Sequence, residues 1–232
     1  MLVVLAATDK EMHAALGHAG APALEQGREV AFSTAGRDLL LCVTGVGLVN
    51  ASLHAGRLLD RPGVDGVLVV GIAGAYNTGD FPLGSACFAW REIWPEYGLL
   101  DEDGGVDAEG IGFPQETLDG KPVWDRVDLN PTNDAERMGL HLGETWGRAS
   151  SVTVSSVTGT PERAGWLSAA YTGDVENMEG FGPALAAVRQ GVPFLELRTI
   201  SNLVGSRAAD EWDVGGALKG LGNAVRHLLS GA

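Results

Sequence analysis

Short apolar runs bounded by glycine and polar turns alternate along this chain with segments of helical spacing. LVVLAA (2–7) predicts a strand that feeds a helix from Asp9. Residues 29–45 read as a hairpin turning at Ala35-Gly36, residues 48–60 as a helix, GVLVVGIAG (66–74) as a buried strand and SACFAW (85–90) as another. Residues 91–148, rich in Gly, Pro, Asp and Trp, break the pattern and predict an insertion with a helix near 133–147. Strand character returns over 148–157. DVENME (174–179) predicts a short strand entering a helix over GPALAAVRQ (182–190). VPFLELRTISN (192–202) predicts a last strand, and residues 214–229 an amphipathic helix turning Leu218, Leu221, Val225, Leu228 and Leu229 inward. Strands alternating with helices imply an α/β fold with a mixed, mostly parallel sheet covered on both faces. No repeat or low-complexity linker divides the chain, so residues 1–232 read as one domain.

Composition narrows the function classes. With 45% hydrophobic and 20% charged residues this is a soluble globular composition. Sixteen Lys and Arg against thirty Asp and Glu give a net charge of −14, which disfavours nucleic acid as a partner because phosphate binding relies on cationic side chains. Cys42 and Cys87 fall in apolar runs and read as buried thiols. The N-terminus lacks a basic leader, and no run approaches the roughly 18 apolar residues of a membrane span. The expected setting is cytoplasmic.

Several motif searches end negatively. TGVGLVN (44–50) carries Gly45 and Gly47, but Asn50 stands where a dinucleotide fingerprint needs its third glycine, and the stretch follows a hairpin. There is no phosphate-loop Gly-Lys-Ser/Thr and no Gly-x-Ser-x-Gly elbow. His13, His18, His54, His141 and His227 lack ligand spacing. Neither a cofactor nor a metal is expected.

Polar residues at the ends of apolar strands hold the remaining chemistry: Glu11, ENMEG (176–180) and RTISN (198–202). In open α/β sheets that edge is where ligands bind. Asn202 there offers a donor and an acceptor but no titratable proton.

VVLAATDKEM (3–12), VTGVGLVNAS (43–52), VVGIAGA (69–75), ENMEG and LRTISN (197–202) come in an order and spacing that resembles the nucleoside phosphorylase/nucleosidase family. The resemblance covers most of the chain and is weak over 91–148. It implies a three-layer αβα fold, a homo-oligomer, often a dimer, and cleavage of the N-ribosidic bond of a nucleoside. Within the family the likeness is strongest to a hydrolytic branch serving menaquinone biosynthesis. The substrate of that branch is a hypoxanthine nucleoside with an aromatic carboxylate at its 5′ end.

The resemblance also assigns roles. Glu179, after Met178, matches the carboxylate that holds the ribose hydroxyls and faces the oxocarbenium-like transition state; a helix-terminal acid is the plain alternative. Glu11 matches the residue that activates water, although Thr8-Asp9-Lys10-Glu11 equally fits a capping box. Arg198 matches an arginine near water and ribose. The Asn177–Met178 backbone and Gly74 line the pocket, Ser201 orients Asn202, and Glu176 is structural. Adenine-specific relatives carry Asp at the position of Asn202, an acid that protonates the departing base. An amide there instead suits the N7 and 6-oxygen of hypoxanthine, which leaves more readily as an anion. Two departures stand out: Ile72 replaces a serine near the water, and Gly74-Ala75 replaces a Gly-Gly pair. The Gly-Asp-Pro-x-Arg pattern of phosphorylases is absent after the first strand. A Glu11 carboxylate about 4 Å from phosphate would cost ~4 kcal/mol per charge pair at a protein-surface dielectric, so water is the expected acceptor. Trp94, with Trp90, Tyr97 and Trp124, is expected to form the slot for the 5′ tail, with Arg91 as its carboxylate partner.

Overall fold

The computed structural model describes residues 1–102 and 104–230. The strands are β1 (Leu2–Ala6), β2 (Glu29–Thr34), β3 (Arg37–Val43), β4 (Gly66–Ala75), β5 (Ala86–Ile93), the small β6 (Leu99–Leu100), β7 (Val106–Asp107), β8 (Glu116–Leu118) and β9 (Lys121–Val123), then β10 (Arg126–Asp128), β11 (Gly147–Thr153), β12 (Val175–Asn177) and β13 (Phe194–Leu203). The helices are α1 (Asp9–Leu16), α2 (Leu48–Leu59), α3 (Pro131–Arg137), α4 (Pro161–Tyr171), α5 (Phe181–Gln190) and α6 (Val214–Leu229). None of them is long and apolar enough to cross a membrane.

Period-2 alternation sorts the strand side chains between two helical layers. Leu2, Val4 and Ala6 of β1, Leu68 and Val70 of β4, and Leu195 and Leu197 of β13 join a core with Met12, Ala15 and Leu16 of α1 and Leu221, Val225 and Leu228 of α6. Val3, Leu5, Val67, Val69 and Phe194 point the other way, onto Ala55, Leu58 and Leu59 of α2 and Ala184 and Ala187 of α5. This is the expected αβα sandwich; each fully buried Leu or Val contributes about 1.5–3 kcal/mol.

The sheet runs β10-β5-β11-β12-β4-β1-β3-β2, with β13 pairing both β4 and β5. Those pairings close a ring. β4 lies parallel to β13, β13 antiparallel to β5, β5 parallel to β11, β11 parallel to β12, and β12 antiparallel to the end of β4. The ring gathers the ends of β4, β11, β12 and β13 at one place, where the polar residues stand.

The hairpin of β2 and β3 turns at Ala35 and Gly36 as expected, both with positive φ (49° and 71°). The helix expected near 133–147 is shorter and earlier. Asn130 caps it, Pro131 opens it, and Gly139 at φ 63° ends the run. β5 reaches Ile93 rather than ending at Trp90, so Glu92 is part of the sheet. β11 stops at Thr153, short of the expected 157, and Thr158 in the following loop is tied to Glu176. Helix α4, which the apolar pattern did not announce, buries Ala164, Leu167 and Tyr171. Leu218 is only half-buried and lines a cavity instead of the core.

Candidate active site

Helix α1 begins at a capping box. The Thr8 N–H and hydroxyl both donate to Glu11 Oε2 (3.0 and 2.7 Å), and the Glu11 N–H donates to Thr8 Oγ1. Capping does not use up the side chain, because Oε1 turns to the sheet and accepts the Ile72 N–H (3.0 Å). Glu11 is thus fixed from both sides, buried, and at the wall of a cavity of about 360 Å³.

Glu179 comes from the turn between β12 and α5. Asn177 Oδ1 accepts the N–H groups of Glu179 and Gly180 (2.7 Å each), which bends the chain and aims the carboxylate inward. Oε1 accepts the Gly47 N–H (3.1 Å), and Oε2 faces Arg198 Nη1 (3.3 Å). Gly47 can present that N–H because its backbone sits at φ 99°. Burial pushes the Glu179 carboxyl above its ordinary value, while Arg198 and the Gly47 amide pull it back.

Arg198 is almost wholly buried behind Glu179 and does not line the cavity. Its Nε donates to Glu196 Oε1 (2.7 Å) and its Nη1 also reaches the Ile72 carbonyl (3.4 Å). A Cβ on Gly71 would meet Arg198 Nη1 at 2.6 Å and Glu11 Oε1 at 2.7 Å, so glycine there lets guanidinium and carboxylate converge. Ile72, in place of a serine, contributes its two backbone groups to the same pair.

Asn202 stands across the cavity. The β13–β4 register slips between Ile200 and Asn202, leaving Ser201 as the extra residue of a bulge. A bulge re-aims the next side chain, and here the slip sets Asn202 opposite Gly74. Ser201 Oγ lies 2.8 Å from Asn202 Oδ1 and donates to it, while Asn202 Nδ2 donates to the Leu203 carbonyl (3.1 Å). Gly74 keeps room for the amide, since a Cβ would come within 2.9 Å of Asn202 Nδ2 and 2.7 Å of Val204 Cγ2.

The cavity therefore brings together Glu11, Gly74, Asn177, Met178, Glu179, Ser201 and Asn202, with Arg198 behind. Val46, Val157, Trp212 and Leu218 add apolar wall that no strand-end argument had singled out. Trp212 had a local signal, an aromatic just before an Asp-capped helix at Asp213. Glu176 accepts the Thr158 N–H and hydroxyl and the Tyr76 hydroxyl (3.0, 2.5 and 3.1 Å), a full set that pins loop 154–160.

The expected tail slot is not one place. Trp94 and Tyr97 are in ring contact (5.4 Å), and Trp94 lines a groove of about 1200 Å³ that shares Val46 and Met178 with the cavity. Trp90 instead lies between Arg91 and Arg148, Arg91 pairs with Asp128 (2.6 Å), and Trp124 opens on a separate depression with Trp166. Trp94 and Gln115 both line the groove, and their Nε1 and Nε2 donors are buried with no acceptor among the described residues.

Comparison with known proteins adds four findings. The family model of the phosphorylase superfamily matches residues 1–229. A futalosine hydrolase of Thermus thermophilus is 34% identical over 198 residues, 84% of this chain and 83% of that one. One of Acidothermus cellulolyticus is 33% identical over 232 residues, 98% of this chain and 89% of that one. A solved futalosine hydrolase mutant of Helicobacter pylori shares the fold with a TM-score of 0.73 at 18% identity, over 99% of this chain and 96% of that one.

Proposed function

The chain belongs to the phosphorylase superfamily, and we propose that it hydrolyses the N-ribosidic bond of futalosine, releasing hypoxanthine and dehypoxanthine futalosine in menaquinone biosynthesis. The observation that carries this reading is one cavity lined by two carboxylates, Glu11 and Glu179, and by the amide of Asn202. The two relatives described above, both futalosine hydrolases, support the same substrate.

In this reading Glu11 orients a water molecule and accepts its proton as the water oxygen bonds to the anomeric carbon. Three hydrogen bonds, from the Thr8 N–H and hydroxyl and from the Ile72 N–H, hold its carboxylate in one orientation for that role. Glu179 binds the ribose hydroxyls and stabilises the positive charge that develops on the sugar as the bond to the base lengthens. Arg198 stays behind it, holding the carboxylate in place. The bonding electrons leave with hypoxanthine, spread over its ring and 6-oxygen, and Asn202 donates to that anion from the Nδ2 hydrogen not used by Leu203. Asn202 cannot act as an acid, so a base that needs protonation before it leaves, such as adenine, is handled poorly. The alternative phosphorylase reaction is disfavoured because, among the described residues, no arginine lines the cavity.

The groove beside the cavity is suited to the 5′ substituent. Its Trp94 and Gln115 donors match a carboxylate or carbonyl, and they replace Arg91 as the tail's partners. Val46 and Val49 expose apolar surface on the same groove, with Leu53 exposed one helical turn beyond Val49, which supports a homo-oligomer whose second copy covers the mouth. A single cytoplasmic domain fits this account. The test is base release from futalosine, inosine and 5′-methylthioadenosine, resolved by chromatography: hypoxanthine from futalosine as the preferred reaction is expected, and adenine release as the faster one would overturn the assignment.

A further inference from the structure

Two glutamates that the proposed chemistry does not use meet beneath the site. Glu92 of β5 and Glu196 of β13 are both fully buried. Glu92 Oε1 and Glu196 Oε2 occupy the space where a Cβ on Gly180 would stand, so glycine at the start of α5 is what lets the two carboxyls approach. Each has a second arm that reaches Glu179. Glu92 accepts from Thr153 Oγ1 (2.5 Å) and Asn177 Nδ2 (3.1 Å). Thr153 Oγ1 in turn accepts the Phe181 N–H, and Asn177 Oδ1 accepts the N–H groups of Glu179 and Gly180. Glu196 accepts from Arg198 Nε, and Arg198 faces Glu179. The remaining oxygen, Glu196 Oε2, has no donor among the described residues except a protonated Glu92.

We infer that Glu92 and Glu196 form one carboxyl pair, neutral at Glu92 and ionised at Glu196, that positions Glu179 from two sides. The neutral member holds the 177–181 turn. The ionised member balances Arg198, which would otherwise leave a positive charge buried between Glu179 and the sheet. Two ionised carboxyls in contact, both out of water, are not tolerated together. Burial, with the neighbouring Glu196 next, pushes the Glu92 carboxyl well above its ordinary range, in agreement with the geometry. The other ionisable groups facing the pair are Arg198, Glu179, Glu11 beyond the guanidinium, and the Cys87 thiol near Glu196. Neither glutamate touches the cavity, so both are positioning residues.

The test exploits the asymmetry of the pair. Glutamine at position 92 keeps a donor for Glu196 and an acceptor for Thr153, leaving Asn177 Nδ2 its bond to Ser151 Oγ, but at position 196 it cannot replace an anion opposite Arg198. Glu92→Ala and Glu196→Ala are each expected to lower kcat on futalosine about 10²-fold, as small misplacements of reacting groups do, with KM little changed. Glu92→Gln should recover most of that loss, and Glu196→Gln should recover little. Glutamine acting equally at both positions would overturn the pair. This kinetic arm rests on the hydrolase reading; an infrared arm does not. At neutral pH the wild-type protein should show a protonated carboxylic C=O band that disappears in Glu92→Gln. Absence of that band, or its persistence in Glu92→Gln, would contradict the inference even if no nucleoside is turned over.

Discussion

The strand tips around the cavity and the insertion between β5 and β11 are built in opposite ways. At the tips, Glu11, Asn177, Glu179, Arg198 and Asn202 are buried, and each is held by two or more hydrogen bonds that reach back into the sheet or a helix start. In the insertion, the strands β6 to β9 are two or three residues long, and Leu99, Leu100 and Phe113 lie exposed. The contrast separates two tasks. Bond breaking needs groups fixed before the substrate arrives. Recognition of a variable substituent needs only surface and a few donors, the task that the proposed function gives to Trp94 and Gln115 on the insertion side.

That division makes graded expectations. The largest effects belong to the tips. Glu11→Gln removes the proton acceptor and is expected to lower kcat about 10²–10⁴-fold, and Glu179→Gln about 10²–10³-fold, with thermal melting near wild type. Near-normal turnover in either variant would take that residue out of the mechanism. Asn202→Asp should lower hypoxanthine release about 10–100-fold, the range of one hydrogen bond lost or turned repulsive, while raising adenine release from 5′-methylthioadenosine. An unchanged base preference would show that the amide does not read the base.

Smaller effects belong to the insertion side and to the frame. Trp94→Ala is expected to raise KM for futalosine several-fold, the range of one aromatic contact, while inosine kinetics stay as they were. A drop in kcat on inosine as well would erase the distinction between the two regions. The smallest is a dependence of stability on pH. The folded protein holds a proton on Glu92 that the unfolded chain releases in the ordinary glutamate range, because burial raises the folded-state value. Stability from this group is therefore undiminished below that range and falls as pH rises from it toward the folded-state value, and Glu179 acts in the same sense. Melting temperatures of wild type and Glu92→Gln across that window check the sign: the variant's curve should be flatter.

The parts of this design that a sequence displays are those set locally. Polar residues closing apolar runs mark strand tips, which is how Glu11, ENMEG (176–180) and RTISN (198–202) are visible without coordinates, and the family resemblance picks Glu179 and Asn202 out of the last two. Thr8 and Glu11 even announce their hydrogen bonds by spacing. What stays hidden depends on partners distant in the chain. The bulge at Ser201 exists only as a mismatch between β13 and β4. The meeting of Glu92 with Glu196 needs β13 to pair with β5 as well, closing the ring. Helix α3 ends early for a backbone reason at Gly139, although its apolar spacing continues. Helix α4 begins at Thr160-Pro161, a readable cap and first turn, but its mixed faces carry too weak an apolar stripe to stand out. The three tryptophans of the insertion, Trp94, Trp124 and Trp146, look alike in sequence and are distributed over different surfaces in space.

The central claim is that water, not phosphate, takes the ribosyl group while an amide receives hypoxanthine. Its most direct measurement is the rate of hypoxanthine release from futalosine in phosphate-free buffer, repeated as phosphate is added. The account predicts full turnover without phosphate, no increase on addition, and no phosphorylated sugar among the products. Turnover that requires phosphate, or a phosphorylated sugar product, would contradict it.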